Sequence, residues 1–227
     1  MRGRMNDSPD TQLSKTLSYL LRHGAVKEGL KIRSDGFIKM DDLMARPKLK
    51  GVKREDIERI VNENVKQRFA IIREQPLPGS SSSEDIIYIR ANQGHSIEVP
   101  ELDLVPLPRP EDLPVVVHGT YEKFWKTILL EGLRPMRRTH LHFAAGLIDD
   151  PGVISGMRAS REIDIYLDVP KCLSAGILFY RSQNGVILSQ GLPDSKSIPS
   201  EFFKKVIHTS GKVLYPIDES AGALDVK

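Results

Sequence analysis

The chain has 227 residues, of which 40% are hydrophobic and 28% are charged, and its formal net charge is +3. This composition is typical of a globular protein with one large or two small domains. A single cysteine, Cys172, excludes an internal disulfide framework and a thiolate metal cluster. No apolar run could cross a bilayer and the N-terminus has no signal-peptide core, so we expect an intracellular, soluble protein with no membrane partner.

Charge is unevenly distributed along the sequence. Residues 11–73 carry fifteen Lys and Arg against eight Asp and Glu, whereas residues 74–112 carry two against eight. A basic N-terminal region suits nucleic-acid binding, because neutralising phosphates supplies most of the sequence-independent affinity. Solvated helix faces carry similar charge, so this feature alone allows both interpretations.

The N-terminal half predicts three helices. Apolar residues recur at helical spacing over 13–24, and Gly24 is expected to end the first helix. A short helix should open at Asp41 or Asp42 and stop at Pro47. A stronger helix is predicted over 54–66, with Ile57, Ile60, Val61 and Val65 on its apolar face.

A β-hairpin is predicted after these helices. Two apolar runs, at 69–73 and 86–90, indicate paired strands, and the serine-rich stretch 75–83 between them indicates a loop. Three helices followed by a hairpin is the order of a winged helix, a fold that serves nucleic-acid binding as well as protein contacts. We therefore expect a first domain over 11–103.

The second half predicts a β-rich domain. The four prolines of 104–114 indicate a linker, 115–208 indicates the domain itself, and 209–227 indicates a flexible tail. One helix and three strands are expected in this domain, at 121–131, 115–117, 163–168 and 186–188. The predicted fold class is α+β.

Arg22 and His23 are the most informative pair of residues. A guanidinium beside an imidazole places a bidentate phosphate ligand next to a group that can exchange a proton near neutral pH. Both residues come at the end of the first predicted helix, where cations also compensate the helix dipole. Other motifs rich in Arg and His favour the first interpretation.

Familiar cofactor motifs are missing from the sequence. It contains neither a Gly-x-Gly-x-x-Gly fingerprint nor a phosphate-binding Gly-x4-Gly-Lys loop. His140 and His142 have no third ligand at a usual spacing, so we expect no metal. An arginine-rich site suits a polyanionic substrate. The candidate phosphate ligands and proton carriers are Arg22, Arg90, Arg138 and Arg158, and His23, His95, His118, His140 and His142.

A series of ordered motifs then carries a resemblance to a known family. The motifs run from Leu13-Ser-Lys to Ile198-Pro199 and include Leu20-Leu-Arg-His-Gly24, Ser34-Asp-Gly-Phe37, Gln67-Arg-Phe69, Ile89-Arg-Ala-Asn-Gln-Gly-His-Ser96, His118-Gly-Thr120, Arg138-Thr-His-Leu-His142, Gly152-Val-Ile-Ser-Gly-Met-Arg158 and Phe179-Tyr-Arg-Ser-Gln-Asn-Gly-Val-Ile-Leu188. In these segments the chain resembles the RNA 2′-phosphotransferases of tRNA splicing, the Tpt1/KptA family.

The resemblance implies an N-terminal winged-helix RNA lobe and a C-terminal, ADP-ribosyltransferase-like mixed β lobe that binds NAD. It implies removal of the splice-junction 2′-phosphate of ligated tRNA. The RNA 2′-phosphate attacks NAD and releases nicotinamide, giving 2′-phospho-ADP-ribosylated RNA. The ribose 2″-hydroxyl then attacks phosphorus, giving a tRNA 2′-hydroxyl and ADP-ribose 1″,2″-cyclic phosphate.

The resemblance also implies the site residues and partners. Its catalytic set falls on Arg22, His23, Arg90 and Arg138. The expected NAD contacts are His118, Gly119, Thr120, His140, His142, Gly152, Ser155, Gly156, Arg158 and Asn184. NAD is expected as a co-substrate without a metal, and RNA with an internal 2′-phosphate as the partner. The oligomeric state stays open, with a monomer favoured.

Two other functions fit parts of the sequence. A non-catalytic winged-helix binder would explain the basic region but not the motif His118-Gly-Thr120. An ADP-ribosyltransferase acting on other phosphorylated nucleic-acid ends or on protein would explain the NAD motifs. The sequence lacks the Gln/Glu-x-Glu motif that many protein-modifying enzymes of that type use.

Overall fold

The computed structural model describes residues 7–76, 84–147, 150 and 153–216. It combines short helices with three antiparallel sheets, in agreement with the predicted α+β class. The described residues fall into two compact units: the first comprises those within 1–104 together with 137–139 and 182–184, and the second comprises the others. Within the described ranges, no helix has the length and apolar character needed to span a membrane.

The first unit contains three helices and one three-stranded sheet. These elements are α1 (Pro9–Tyr19), β1 (Ile38–Lys39), α2 (Met40–Met44), α3 (Arg54–Glu63), β2 (Phe69–Glu74) and β3 (Ile86–Ala91). The predicted hairpin is confirmed, because β2 and β3 pair antiparallel, and β3 is the central strand of the order β1-β3-β2. The connection at 77–83, which the sequence predicts as part of a loop, lies outside the described residues.

The first helix differs from its prediction at Gly24. After α1 the chain continues through a π-helical turn, Leu20–Gly24, and helical backbone persists until Gly29, whose φ is +67°. Gly24 is required for another reason. A Cβ at this position would lie 2.7 Å from the ring of Tyr19, which covers it. Glycine here permits close approach of an aromatic ring instead of ending the helix.

Helices α2 and α3 also differ at their ends. Helix α2 begins at Met40, one residue before the earlier of its two predicted starts. Helix α3 ends at Glu63, because Asn64 adopts an extended conformation with ψ 100°. Val65, predicted on the apolar face, is consequently 82% exposed. Local periodicity locates a helix better than it locates its ends.

A hydrophobic core holds the first unit together. Leu17 from α1 and Leu20 and Leu21 from the π-helical turn are fully buried against α3 and the sheet. Truncating one such leucine to alanine costs about 2–5 kcal/mol in the free energy of unfolding. The turn that carries Arg22 and His23 is therefore anchored by the two residues that precede them.

The second unit contains two four-stranded sheets and two helices. Its elements are β4 (Leu104–Pro106), β5 (Val117–Thr120), α4 (Trp125–Glu131), β6 (Leu141–Phe143), β7 (Ile163–Leu167), α5 (Val169–Ser174), β8 (Tyr180–Ser182), β9 (Ile187–Ser189), β10 (Phe203–His208) and β11 (Val213–Tyr215). The strand orders are β11-β10-β7-β5 and β4-β8-β9-β6. Both sheets contribute side chains to one core.

Two segments of the second half are more ordered than the sequence predicts. The stretch 104–114, expected to be a linker, contains β4 and the buried side chains of Leu107 and Leu113. Strand β11 lies within the expected tail and pairs with β10, while 217–227 lies outside the described residues. Leu107 and Leu113, although they stand among prolines and polar residues, therefore complete the core of the second unit.

Candidate functional site

The pair Arg22–His23 lies on the π-helical turn that follows α1. Such turns occur often at functional sites, because the extra residue widens the helix and changes the direction of its side chains. The backbone carbonyl of Arg22 accepts a hydrogen bond from the Ser96 amide at 3.0 Å. The turn is thereby fixed both to the core below it and to the loop that follows β3.

Arg22 lies in a strongly cationic environment. Burial and the positive charges of Arg138 and Arg68 lower the pKa of Arg22 to about 10. Among the described residues, no hydrogen-bond partner reaches its buried Nε atom, and Gly94 packs against its guanidinium. Cations gathered this closely favour an anionic ligand, which would restore the lost solvation.

Arg68 is a further cation near Arg22 that the candidate set omits. The Arg68 side chain is half-buried, and burial lowers its pKa. It follows a turn that contains no glycine and ends at Gln67, whose φ is +43°. Its charge acts on Arg22 and also lowers the pKa of Lys66. The motif Gln67-Arg-Phe69, present among the segments that carry the family resemblance, was the signal that could have identified it.

The turn that presents Arg68 is held by two amide side chains. Nδ2 of Asn92 donates to the Gln67 carbonyl at 2.7 Å, and Nδ2 of Asn184 donates to the Lys66 carbonyl at 2.9 Å. Asn184 is 1% exposed, and its Oδ1 accepts from Ser182. It belongs to the first unit, whereas the other described residues expected to contact NAD belong to the second.

Arg90, a member of the implied catalytic set, is buried beside the turn that precedes β1. Its side chain is 4% exposed and its guanidinium lies 4.6 Å above the ring of Phe37. Nη1 donates to the Asp35 carbonyl at 2.9 Å, and Nη2 lies 3.6 Å from the Asp103 carboxylate. Arg90 is not among the charges that shift the pKa values of Arg22 and His23. Nη1 of Arg90 thus holds the turn before β1, whereas its buried Nε, like that of Arg22, has no hydrogen-bond partner among the described residues. The catalytic role that the resemblance implies for Arg90 stays a prediction.

Arg138 is exposed and acts on both members of the pair through its charge. Its neighbour Thr139 donates two hydrogen bonds to the carbonyl of buried His95, from the amide at 3.0 Å and from the hydroxyl at 3.3 Å. These two hydrogen bonds hold Thr139, and with it the adjacent Arg138, against the first unit. His95, a candidate proton carrier, contributes this carbonyl.

A cavity of about 600 Å³ lies along α1 and α3 in the first unit. His23 and Arg68 line it, together with Lys15, Ser18 and Asn64. The imidazole and the guanidinium in its lining suit a phosphorylated ligand, whereas Asp10 and Glu63 in the same lining are acidic.

His23 should titrate below its ordinary pKa of 6.5, because burial and then the charges of Arg22 and Arg138 lower it. Replacing Arg138→Gln removes one positive charge, so the midpoint should rise. NMR titration of the imidazole in both proteins measures this shift. An equal or lower midpoint in the variant would exclude Arg138 from the surroundings of His23.

The second unit carries the motif His118-Gly-Thr120 on β5, at the edge of its sheet. Nδ1 of His118 donates to the His142 carbonyl at 2.9 Å, and its ring meets Phe143 edge to face. The amide and carbonyl of Val117 pair with Ala144, on the side of β5 away from β7. Strand alternation turns the amide and carbonyl of Gly119 to that same side.

The remaining residues expected to contact NAD vary in their surroundings. Thr120 is buried, and His140 and His142 are half-buried on either side of Leu141. Burial lowers the pKa of His140. Ser155 and Arg158 flank Gly156, whose φ of +104° and contact with the Phe143 carbonyl exclude a side chain. Gly152 lies outside the described residues.

Tyr121 is linked to this group, because hydrogen bonds from Ser160 and Arg158 hold its pKa below the ordinary value of 10.0. Within the described ranges, no three His, Cys, Asp or Glu side chains are grouped as metal ligands.

Comparison with known proteins agrees with these arginine and histidine motifs. The family model described as RNA 2′-phosphotransferase, Tpt1 / KptA family, matches residues 8–191. The chain belongs to this family.

Three relatives illustrate the match. The chain is 49% identical over 199 residues to tRNA 2′-phosphotransferase 1 of Bos taurus, covering 87% of this chain and 75% of the relative. It is 48% identical over 212 residues to the Homo sapiens protein of that name, covering 91% and 81%. It is 41% identical over 209 residues to tRNA 2′-phosphotransferase of Saccharomyces cerevisiae, covering 88% and 85%.

Proposed function

We propose that this protein is an NAD-dependent tRNA 2′-phosphotransferase that removes the splice-junction 2′-phosphate of ligated tRNA. The observation that carries the proposal is the cluster of Arg22, His23, Arg68 and Arg138 in a chain of the RNA 2′-phosphotransferase family. The products are tRNA with a 2′-hydroxyl, nicotinamide and ADP-ribose 1″,2″-cyclic phosphate.

The first unit is proposed as the RNA lobe. Its three helices and hairpin support a winged-helix assignment, and its cavity and cations suit a strand with an extra phosphate. In the first step the RNA 2′-phosphate attacks the nicotinamide-bearing ribose carbon and nicotinamide leaves. The phosphate is already an anion, so this step requires orientation by arginines and no base.

The second step requires a base and stabilisation of charge on phosphorus. The ribose 2″-hydroxyl gives its proton to His23 as its oxygen attacks phosphorus, and the bond from phosphorus to the RNA 2′-oxygen breaks. That oxygen takes up a proton from the imidazolium. Arg22, Arg68 and Arg138 stabilise the charge on the phosphoryl oxygens. A lowered pKa keeps His23 neutral and able to accept the proton.

The second unit is proposed as the NAD lobe, of ADP-ribosyltransferase type. The amide and carbonyl of Gly119, which point away from β7, match the acceptor and donor of the nicotinamide carboxamide. His118, fixed by its bond to the His142 carbonyl, would hold the adjoining ribose. Ser155 and Arg158 supply further polar groups for the pyrophosphate and adenosine.

An oligoribonucleotide with one internal 2′-phosphate tests the proposal. Incubated with the protein and NAD, it should lose the phosphate and release one nicotinamide for each phosphate transferred. The same RNA with a 2′-hydroxyl should give no product. Modification of a terminally phosphorylated RNA alone, or of protein alone, would instead identify an ADP-ribosyltransferase of different specificity.

Arg138→Lys should lower kcat/KM about a hundredfold, equivalent to roughly 2–3 kcal/mol of transition-state stabilisation. Lysine keeps the charge but replaces a bidentate phosphate contact by a single one. Arg137→Lys is the matched control, because Arg137 is the exposed neighbour and should be nearly silent. Steady-state kinetics on both variants measures this. If only Arg137→Lys lowers kcat/KM, the phosphate contact assigned to Arg138 belongs to Arg137 instead.

A further inference from the structure

Ser96 makes two contacts with the pair Arg22–His23. Its Oγ lies 3.0 Å from Nδ1 of His23 and 3.4 Å from the backbone carbonyl oxygen of Arg22. Its own amide donates to that same carbonyl at 3.0 Å. The serine thus sits between the imidazole and the backbone that carries it.

The Ser96 hydroxyl has one proton and two neighbouring acceptors. A carbonyl oxygen can only accept, so the long 3.4 Å contact is one in which the hydroxyl is the donor and the Arg22 carbonyl the acceptor. With the hydroxyl in that direction the serine oxygen offers a lone pair to His23 and Nδ1 carries a hydrogen, whereas in the other tautomer the hydroxyl donates to Nδ1 at 3.0 Å. In the first arrangement the other nitrogen of the neutral ring, Nε2, is left with its lone pair.

We propose that Ser96 is a positioning residue that holds neutral His23 in the Nδ1–H tautomer and so leaves Nε2 as the base. The assignment rests on the proposed function for its catalytic consequence, but the tautomer is a property of the protein alone. A free imidazole distributes its proton over both nitrogens, and only one of the two forms can accept a proton at Nε2. The hydroxyl also limits rotation of the ring.

The proton transfer can be followed through these groups. The ribose 2″-hydroxyl gives its proton to Nε2 of His23 as its oxygen bonds to phosphorus. The resulting imidazolium keeps its Nδ1–H bond to Ser96, and Nε2 returns its proton to the departing RNA 2′-oxygen. Ser96 neither gains nor loses a proton in this sequence.

Other charges surround His23, and the test must separate them from Ser96. Arg22 and Arg138 lower its pKa through their positive charge, after burial. The cavity that His23 lines also contains Arg68 and three further charged residues, which are Lys15, Asp10 and Glu63. A change at Ser96 leaves all of these charges in place, so an altered tautomer would come from the hydroxyl.

Nitrogen-15 NMR of the full chain with labelled histidine tests the proposal. Above the pKa of His23, Nδ1 should give a protonated shift and Nε2 an unprotonated one. Ser96→Ala should move the ring towards the Nε2–H form, whereas Ser96→Thr, which keeps a hydroxyl, should retain the original pattern. A wild-type His23 with its proton on Nε2 overturns the proposal, whatever the activity.

Kinetics supplies the second measurement. Ser96→Ala should slow the second step roughly 10- to 100-fold, as loss of an orienting partner does for other histidines, and ADP-ribosylated RNA should accumulate. The matched control is Ser210→Ala, because the Ser210 hydroxyl contacts Nδ1 of His208 at 2.7 Å in the second unit. It should change the NMR shifts of His208 alone and leave turnover unaltered.

The outcomes separate this proposal from the proposed function. If the wild-type protein fails to release phosphate from RNA, the proposed function is refuted while the NMR measurement still decides the tautomer. If the tautomer changes in Ser96→Ala but the second step does not slow, the positioning role is refuted. Equal melting temperatures of the alanine and threonine variants exclude loss of the fold as the cause.

Discussion

His23→Ala should slow the second chemical step at least about a hundredfold while leaving the first step nearly unchanged. General-base catalysis contributes roughly 10²–10⁴ in rate, and only the second step has a hydroxyl proton to remove. The 2′-phospho-ADP-ribosylated RNA should therefore accumulate, and nicotinamide should be released faster than free 2′-hydroxyl RNA appears. Single-turnover assays that resolve the three RNA species by gel electrophoresis measure both steps.

His208→Ala provides the control for this experiment. His208 is a half-buried histidine of β10 with a serine partner of its own, and its removal should leave both steps intact. Unchanged turnover of His23→Ala, with no intermediate, would remove the imidazole from the mechanism. Equal slowing of both steps would instead indicate that His23 orients the phosphate.

The N-terminal elements were predictable because their signals are local. Apolar spacing identified the helices, and two β-rich runs identified the hairpin that β2 and β3 form. The features that failed depend on distant contacts. Gly24 looks like a helix terminator until the ring of Tyr19 is seen above it, and Val65 continues an apolar pattern that the extended conformation of Asn64 interrupts.

The second half shows the same limit. Four prolines made 104–114 resemble a linker, yet Leu107 and Leu113 are buried in the core of the second unit. Nothing in local sequence distinguishes an apolar residue of a free linker from one that fills a distant gap. Strand β11 likewise depends on its partner β10 for hydrogen bonds. Tertiary packing decides the first case, and pairing with the neighbouring strand decides the second.

The candidate arginines illustrate this most clearly. Arg90 and Arg68 both stand in motifs that carry the family resemblance, and the resemblance implied the catalytic role for Arg90. In the fold, Arg90 is buried between the Asp35 carbonyl and Phe37, whereas Arg68 lines the cavity with His23 and acts on Arg22. Burial and neighbouring charge, which separate the two roles, are tertiary properties.

Arg68→Gln should lower kcat/KM about a hundredfold or more with an unchanged melting temperature. Loss of one phosphate ligand removes roughly 2–3 kcal/mol of transition-state stabilisation, and Arg68 makes few contacts that stabilise the fold. Arg73→Gln is the matched control, because Arg73 lies on β2, the strand that follows Arg68, and pairs with Glu58 at the surface. Surface pairs of this kind contribute little, so this variant should keep its activity.

Arg90→Gln should behave in the opposite way. It leaves the Asp35 carbonyl without its charged donor and removes the cation above Phe37, so the free energy of unfolding should fall by about 2 kcal/mol. For a chain of this length the melting temperature should drop by roughly 4–8 °C. At a temperature where the variant is folded, turnover should exceed that of Arg68→Gln. If instead Arg90→Gln abolishes turnover without a loss of stability and Arg68→Gln is active, the phosphate is held by Arg90 and the cluster assigned around Arg22 is incorrect.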